Sequence, residues 1–175
     1  MISWMRWKIA LAVAVFVCAP YAGRGAALSF TTCRLSQFAI RIGPAVSEET
    51  GQHTLILRLM NRGRGACVLN GYPRIRAYDK AGLVPFVIRH GGDQMITSRP
   101  PRQIVVRPRR AAFVALNHYR CDRGDVRVAT RLRIDEVVLR LRGLYQTIEY
   151  CGRGDPGSTL AVSPFEPTLL ATLAR

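Results

Sequence analysis

The sequence predicts an all-β protein, an antiparallel β-sandwich of about eight or nine short strands. Three observations lead there. Apolar residues recur at every second position in several short runs. The clearest is Leu55, Leu57 and Leu59 against Thr54, Ile56 and Arg58, the period-2 signature of a strand with one buried face. Turn residues separate those runs at short intervals: Asn70-Gly71, Asp79-Lys80-Ala81-Gly82, Gly91-Gly92 and Pro100-Pro101. Finally, Cys33, Cys67, Cys121 and Cys151 form an even set behind an export leader, which reads as a disulfide framework.

The leader comes first in the chain. Met1 to Lys8 holds two positive charges and no acid, Ile9 to Ala19 is an apolar run of about 11 residues, and small residues follow up to Ala27. This is the order of a secretory signal peptide. The run is short for a membrane span, which needs about 20 residues. Cleavage after Ala27 or Gly25 suits the small-residue requirement, so residues 1–27 are expected to be removed and 28–175 to form one domain without an integral membrane segment. The alternatives are an uncleaved anchor or a lipid on Cys18. Val17 and Phe16 are bulky for lipidation, and Cys18 is expected to leave with the leader.

Beyond the leader, Ser36 to Gly43 alternates with Phe38, Ile40 and Ile42 on one side, and Pro44 to Gln52 is a polar loop carrying Glu48-Glu49. The Leu55–Leu59 strand ends near Asn61. Gly63 and Gly65 then permit a turn before Cys67. Asn70-Gly71 turns the chain again, and Pro73 pushes Tyr72 toward extended geometry. Arg74 to Tyr78 alternates into the 79–82 hairpin loop, and one strand is expected from Leu83 to Arg89. Gly91 to Arg102 reads as loop, Gln103 to Val106 as a short strand, Arg107 to Arg110 as a turn and Ala111 to Tyr119 as a strand. Residues 126–135 alternate without interruption, as do 137–142. Thr147 to Cys151 and Thr159 to Ser163 close the set, and Leu169 to Arg175 is a short helix or a frayed end. No repeat, low-complexity tract or linker divides the chain.

The stretch around Cys67 also resembles a known family. Cys33 and Leu35, Leu59 and Asn61, Gly63, then Cys67, Leu69, Gly71, Tyr72 and Pro73, then Asp79 and Gly82, follow its pattern, which Cys151-Gly152 and Val162-Ser163-Pro164 complete. The pattern is similar to the domain of unknown function family 4232 of secreted and lipid-anchored actinobacterial proteins, over about residues 33–167. The resemblance implies an immunoglobulin-like sandwich with two disulfides and no known activity. Of the three pairings that four cysteines allow, it favours Cys33–Cys67 and Cys121–Cys151, each closing a loop of about 30 to 35 residues and worth about 3.5–4 kcal/mol by chain entropy. Where the family has Pro-Gly before its middle strand, this chain has Pro108-Arg109.

Charge is the most suggestive feature for function. The chain carries 26 Lys+Arg against 11 Asp+Glu, a net +15, and its only lysines are Lys8 and Lys80. Guanidinium pairs bidentately with phosphate and carboxylate. Arg127, Arg131 and Arg133 are expected to share one sheet face, opposite a core side made by Val126, Val128, Thr130 and Leu132. Arg140 and Arg142 would share a face of the next strand, and Arg99, Arg102, Arg107, Arg109 and Arg110 crowd the middle loops. Such a surface suits an anionic cell-wall polymer, a lipid headgroup or another envelope protein. An outward polar row that keeps sheet edges from aggregating has the same pattern. Nucleic acid is disfavoured, because the protein reads as exported and no stacking aromatics interleave with those arginines.

Catalytic signals are weak. There is no nucleophile elbow, no His-Glu-x-x-His and no phosphate loop. No Cys-x-x-Cys or zinc-spaced histidine suggests a metal, and no cofactor is implied. Asp135-Glu136 reads as a hairpin turn, since adjacent strand residues point to opposite faces. The expectation is an exported, envelope-associated binding or scaffolding module without catalysis. The alternatives are an exported hydrolase with a loop-built site around His90 or His118, or an anchored surface protein.

Overall fold

Alternation in the sequence becomes fourteen strand segments among the described residues, most of them short. In chain order they are β1 (Thr31–Thr32), β2 (Phe38–Ser47), β3 (Gln52–Asn61), β4 (Cys67–Leu69), β5 (Ile75–Tyr78), β6 (Leu83–Val84), β7 (Val87–His90), β8 (Ile104–Val106), β9 (Ala111–Tyr119), β10 (Arg127–Ala129), β11 (Arg131–Ile134), β12 (Val137–Arg140), β13 (Ile148–Tyr150) and β14 (Thr159–Val162), followed by a one-turn helix α1 (Leu169–Thr172). The computed structural model describes residues 30–47, 51–121, 126–143 and 146–174. The expected leader with Cys18, and Glu48-Glu49, lie outside them.

One layer is a five-stranded sheet in the order β2-β3-β9-β14-β7. The facing layer is assembled from a four-stranded sheet, β12-β11-β5-β6, a three-stranded sheet, β1-β4-β8, and the pair β10-β13. Leu55, Leu57 and Leu59 of β3, Val114 and Leu116 of β9, and Leu160 and Val162 of β14 meet Leu69, Ile75, Ala77, Ile104, Val106, Leu132, Ile134 and Ile148 of the other layer in one core. Burial of this set is the main stabilising contribution. The chain is thus the all-β sandwich that its alternation predicts.

Three departures have local causes. First, β3 buries both faces: Thr54 and Ile56 are as inaccessible as Leu55 and Leu57. Asp93 Oδ1 accepts from Met95 N at 2.8 Å and Ile96 N at 2.6 Å, folding that loop over the sheet. Met95 and Ile96, with Leu169 and Leu173 around α1, then cover Ile56, Ala115 and Ala161. Second, the strand expected from Leu83 to Arg89 breaks at Pro85. Proline offers no N–H to a ladder, Phe86 N donates to Val84 O at 2.9 Å, and the chain crosses from β6, antiparallel to β5, to β7, parallel to β14. Third, the expected loop at Pro44 is largely strand. β2 runs on to Ser47 as an edge strand with a bulge between Ile42 and Ala45, where proline is tolerated.

The stretch around Cys67 forms a stapled corner. Asn61, fully buried, donates from Nδ2 to Val106 O at 2.9 Å and Gly65 O at 3.1 Å, and its Oδ1 accepts from Gly63 N at 2.8 Å. Cys33 is bonded to Cys67, with Cα atoms 5.0 Å apart, and Cys121 to Cys151, at 5.2 Å. Both pairings are those the family resemblance favours. The Asp79–Gly82 hairpin forms as expected: Asp79 Oδ1 accepts from Ala81 N and Gly82 N at 2.8 and 2.9 Å.

Candidate functional site: an arginine face on the four-stranded sheet

Strand register decides which arginines meet. β11 lies between β5 and β12, antiparallel to both. Ile75, Ala77, Leu132 and Ile134 point into the core, so their neighbours Arg76, Arg131 and Arg133 point outward. Arg133 stands opposite Arg76, and Arg131 opposite Arg140. The two arginine stripes of the sequence thereby join into one exposed face, and Arg76 becomes part of it. Arg74 and Arg142 extend it at either end. Arg74 and Arg76 alternate with Ile75 and Ala77 as Arg131 and Arg133 do with Leu132 and Ile134. That pattern was legible as a strand; its membership of this face depends on a pairing some 55 residues away in sequence.

Arg127 is placed differently from the expectation. The alternation across 126–135 breaks at Thr130, where the chain leaves its pairing with β13 and joins β5. Thr130 N donates to Tyr78 O at 2.8 Å, and the phase of the strand slips by one residue there. Ala129, Leu132 and Ile134 are buried, whereas Val126 and Val128 are about 40% exposed and Thr130 is exposed. Arg127 therefore turns to the hairpin, donating from Nε to Asp79 Oδ2 at 2.7 Å and from Nη2 to Leu83 O at 3.2 Å. This bond holds the Asp79 carboxyl below its ordinary pKa and raises that of Arg127.

The remaining guanidiniums find few internal partners. Arg74 Nε lies 3.0 Å from Asp135 Oδ1, with the arginine side chain 89% exposed. Arg133 Nε donates to the Asp135 carbonyl at 3.0 Å. Arg131 reaches the Asp79 carbonyl at 3.4 Å and lies 5.8 Å over the Tyr78 ring. Among the described residues, no carboxylate pairs with Arg76, Arg131, Arg133 or Arg140. Two shallow clefts open on this face. One of about 130 Å³ is lined by Arg74, Arg76, Arg133 and Asp135; one of about 340 Å³ is lined by Thr130, Arg131, Arg140, Leu141 and Arg142. Asp135-Glu136 makes the turn between β11 and β12, with Asp135 at φ 50°. Glu136 accepts from Ser36 N at 2.9 Å, which keeps its carboxyl below the ordinary value.

The histidines are engaged by the fold. His118 is 2% exposed, with Nδ1 2.9 Å from Tyr119 O and Nε2 3.3 Å from Thr147 O. Burial lowers its pKa, the Tyr119 carbonyl opposes that, and His53, with its ring centroid 5.6 Å away, lowers it further. The neighbouring cleft of about 190 Å³ is also lined by Asp93 and the buried Asn117. Asn117 donates to Gln52 Oε1 and Asp93 Oδ2, both at 2.8 Å, and accepts from Thr54 Oγ1, so the polar atoms there are spent on one another. His90 is exposed and stacked on Tyr72, centroids 4.5 Å apart.

Two disulfides point to an extracytoplasmic location. Among the described residues, no helix is long and apolar enough to cross a membrane, and no group of three His, Cys, Asp or Glu side chains could hold a metal ion. No curated protein and no solved structure matches the chain. A family model does match, over residues 33–166, spanning both disulfides, the Cys67 corner and the arginine face. The chain therefore belongs to the family described as Domain of unknown function (DUF4232).

Proposed function

We propose that this protein is an exported, non-catalytic binding or scaffolding module of the cell envelope, whose arginine face holds an anionic envelope polymer or an acidic patch of another envelope protein. The observation that carries this reading is the two pairs of directly opposed arginines, Arg76–Arg133 and Arg131–Arg140, on one exposed face. Like charges opposite each other weaken strand pairing, so the sheet is less stable for having them. An anionic ligand reverses the sign of that contribution by bridging each pair, and arginine is the side chain best shaped to do it. The disulfides agree with function outside the cytoplasm.

Elution from an immobilised polyanion in a salt gradient tests this. The protein should elute at high salt, because exposed charges are screened within about 8 Å at physiological ionic strength. A variant with Arg76, Arg131, Arg133 and Arg140 all changed to Gln should elute much earlier, and one with Arg89 and Arg153 changed should not. A shift in the second variant about half that of the first, in proportion to the charges removed, would mean that net charge alone, and no particular face, accounts for binding.

A further inference from the structure

Spacing on the arginine face carries information about the ligand. Side chains on one face of a strand repeat every second residue, about 6.8 Å apart in an antiparallel sheet. The register aligns the arginines of three strands into steps along that direction. Arg74, one residue before β5 and paired with Asp135, comes first, then Arg76 opposite Arg133, then Arg131 opposite Arg140, and Arg142 follows two residues past the end of β12. The two steps within the strands carry paired guanidiniums free of carboxylate partners, and a single arginine flanks them at either end, Arg74 sharing its step with Asp135.

We infer that the ligand is a linear polyphosphodiester with one phosphate about every 7 Å, such as a poly(glycerol phosphate), lying along the strands of this face. This rests on the proposed anion-binding function. Three bonds of an extended chain span about 3.8 Å, so the six-bond P–O–C–C–C–O–P repeat spans roughly 7 Å. Each phosphate then meets one step, and in the middle two steps it lies between two guanidiniums that can each donate a pair of hydrogen bonds. A polyphosphate chain, with two bonds between phosphorus atoms, is too densely charged to match. An acidic peptide has the same repeat on one side but turns every second carboxylate away from the sheet.

Fluorescence titrations of the mature protein test the inference with three labelled probes of equal charge: a glycerol phosphate hexamer, a polyphosphate and a poly-glutamate. The hexamer should bind tightest. Its log affinity should fall with log salt at a slope of about −2, given about −0.7 for each phosphate neutralised on a single chain at the three steps without a carboxylate partner. Changing Arg131 and Arg140 together to Gln should remove one step and make the slope shallower by about 0.7, whereas changing Arg89 and Arg153 should leave it alone. If polyphosphate or poly-glutamate binds as tightly as the hexamer, the spacing inference is overturned while the anion-binding reading stands. If none of the three binds, both fall.

Discussion

At Arg109 the chain holds a non-glycine residue at φ 63°, in the turn where the family has glycine. Its N–H donates to Asn61 O at 2.9 Å, so the turn is tied to the Cys67 corner and cannot relax. A left-handed conformation costs an L-residue about 1–2 kcal/mol, while glycine returns about 0.5–1 kcal/mol through the freedom of the unfolded chain. Arg109→Gly should therefore raise unfolding stability by about 0.5–1 kcal/mol, read as a higher denaturant midpoint at unchanged slope. His118 makes a second prediction at this scale. Its folded pKa is lowered from 6.5. Above the unfolded value both states are neutral and stability is complete. As pH falls below that value the unfolded chain takes up a proton that the buried ring resists, so stability is lost progressively. Denaturant midpoints should decline from about pH 6.5 downward, and His118→Gln should flatten that first part of the decline. An identical profile in the variant would place the acid sensitivity elsewhere, in carboxylates such as Glu136 that titrate lower.

Elements explain which features were legible in the sequence. The Leu55–Leu59 strand and the Asp79–Gly82 hairpin follow from period and turn chemistry over a few residues, and both form, although the strand buries both faces instead of one. The breaks at Pro85 and Thr130 were not legible from alternation alone, because a strand that changes sheets keeps its alternation on each side of the crossing. Burial of Thr54 and Ile56 was hidden for a different reason. The cover over Ile56 comes from Met95, Ile96 and the α1 region, about 40 and 115 residues further along the chain, and Thr54 is bonded to Asn117 of β9. Cys121–Cys151 fastens the end of β9 beside β13, with Gly157 so close that a Cβ there would meet the Cys151 sulfur and the Tyr119 carbonyl. Its sequence separation of 30 predicts that Cys121→Ser with Cys151→Ser costs about 3.5 kcal/mol by loop entropy. Chemical denaturation of the exported double variant measures it. A loss below 1 kcal/mol would mean that residual structure already confines this loop in the unfolded chain.

On the scale of the whole molecule, the charge is a surplus of arginine over acid, and the sandwich sorts it. Buried layers take most of the leucines and isoleucines and some of the valines. Asp79 and Asp135 engage Arg127 and Arg74 at the edges, and the outer face of β5, β11 and β12 keeps its arginines without acid partners. The sequence made arginine stripes visible but not their union, which needed the register of three strands, and it put Arg127 on a face that the Thr130 crossing takes it from. The most direct test of the account is cosedimentation of the mature protein with protein-stripped cell envelopes, beside a thermal melt of each variant. Wild-type protein should sediment at low salt and be released at high salt. The variant with Arg76, Arg131, Arg133 and Arg140 changed to Gln should stay in solution while melting no lower than wild type, because it loses two like-charge pairs and no ion pair with a carboxylate. Undiminished sedimentation of a folded quadruple variant would contradict the account.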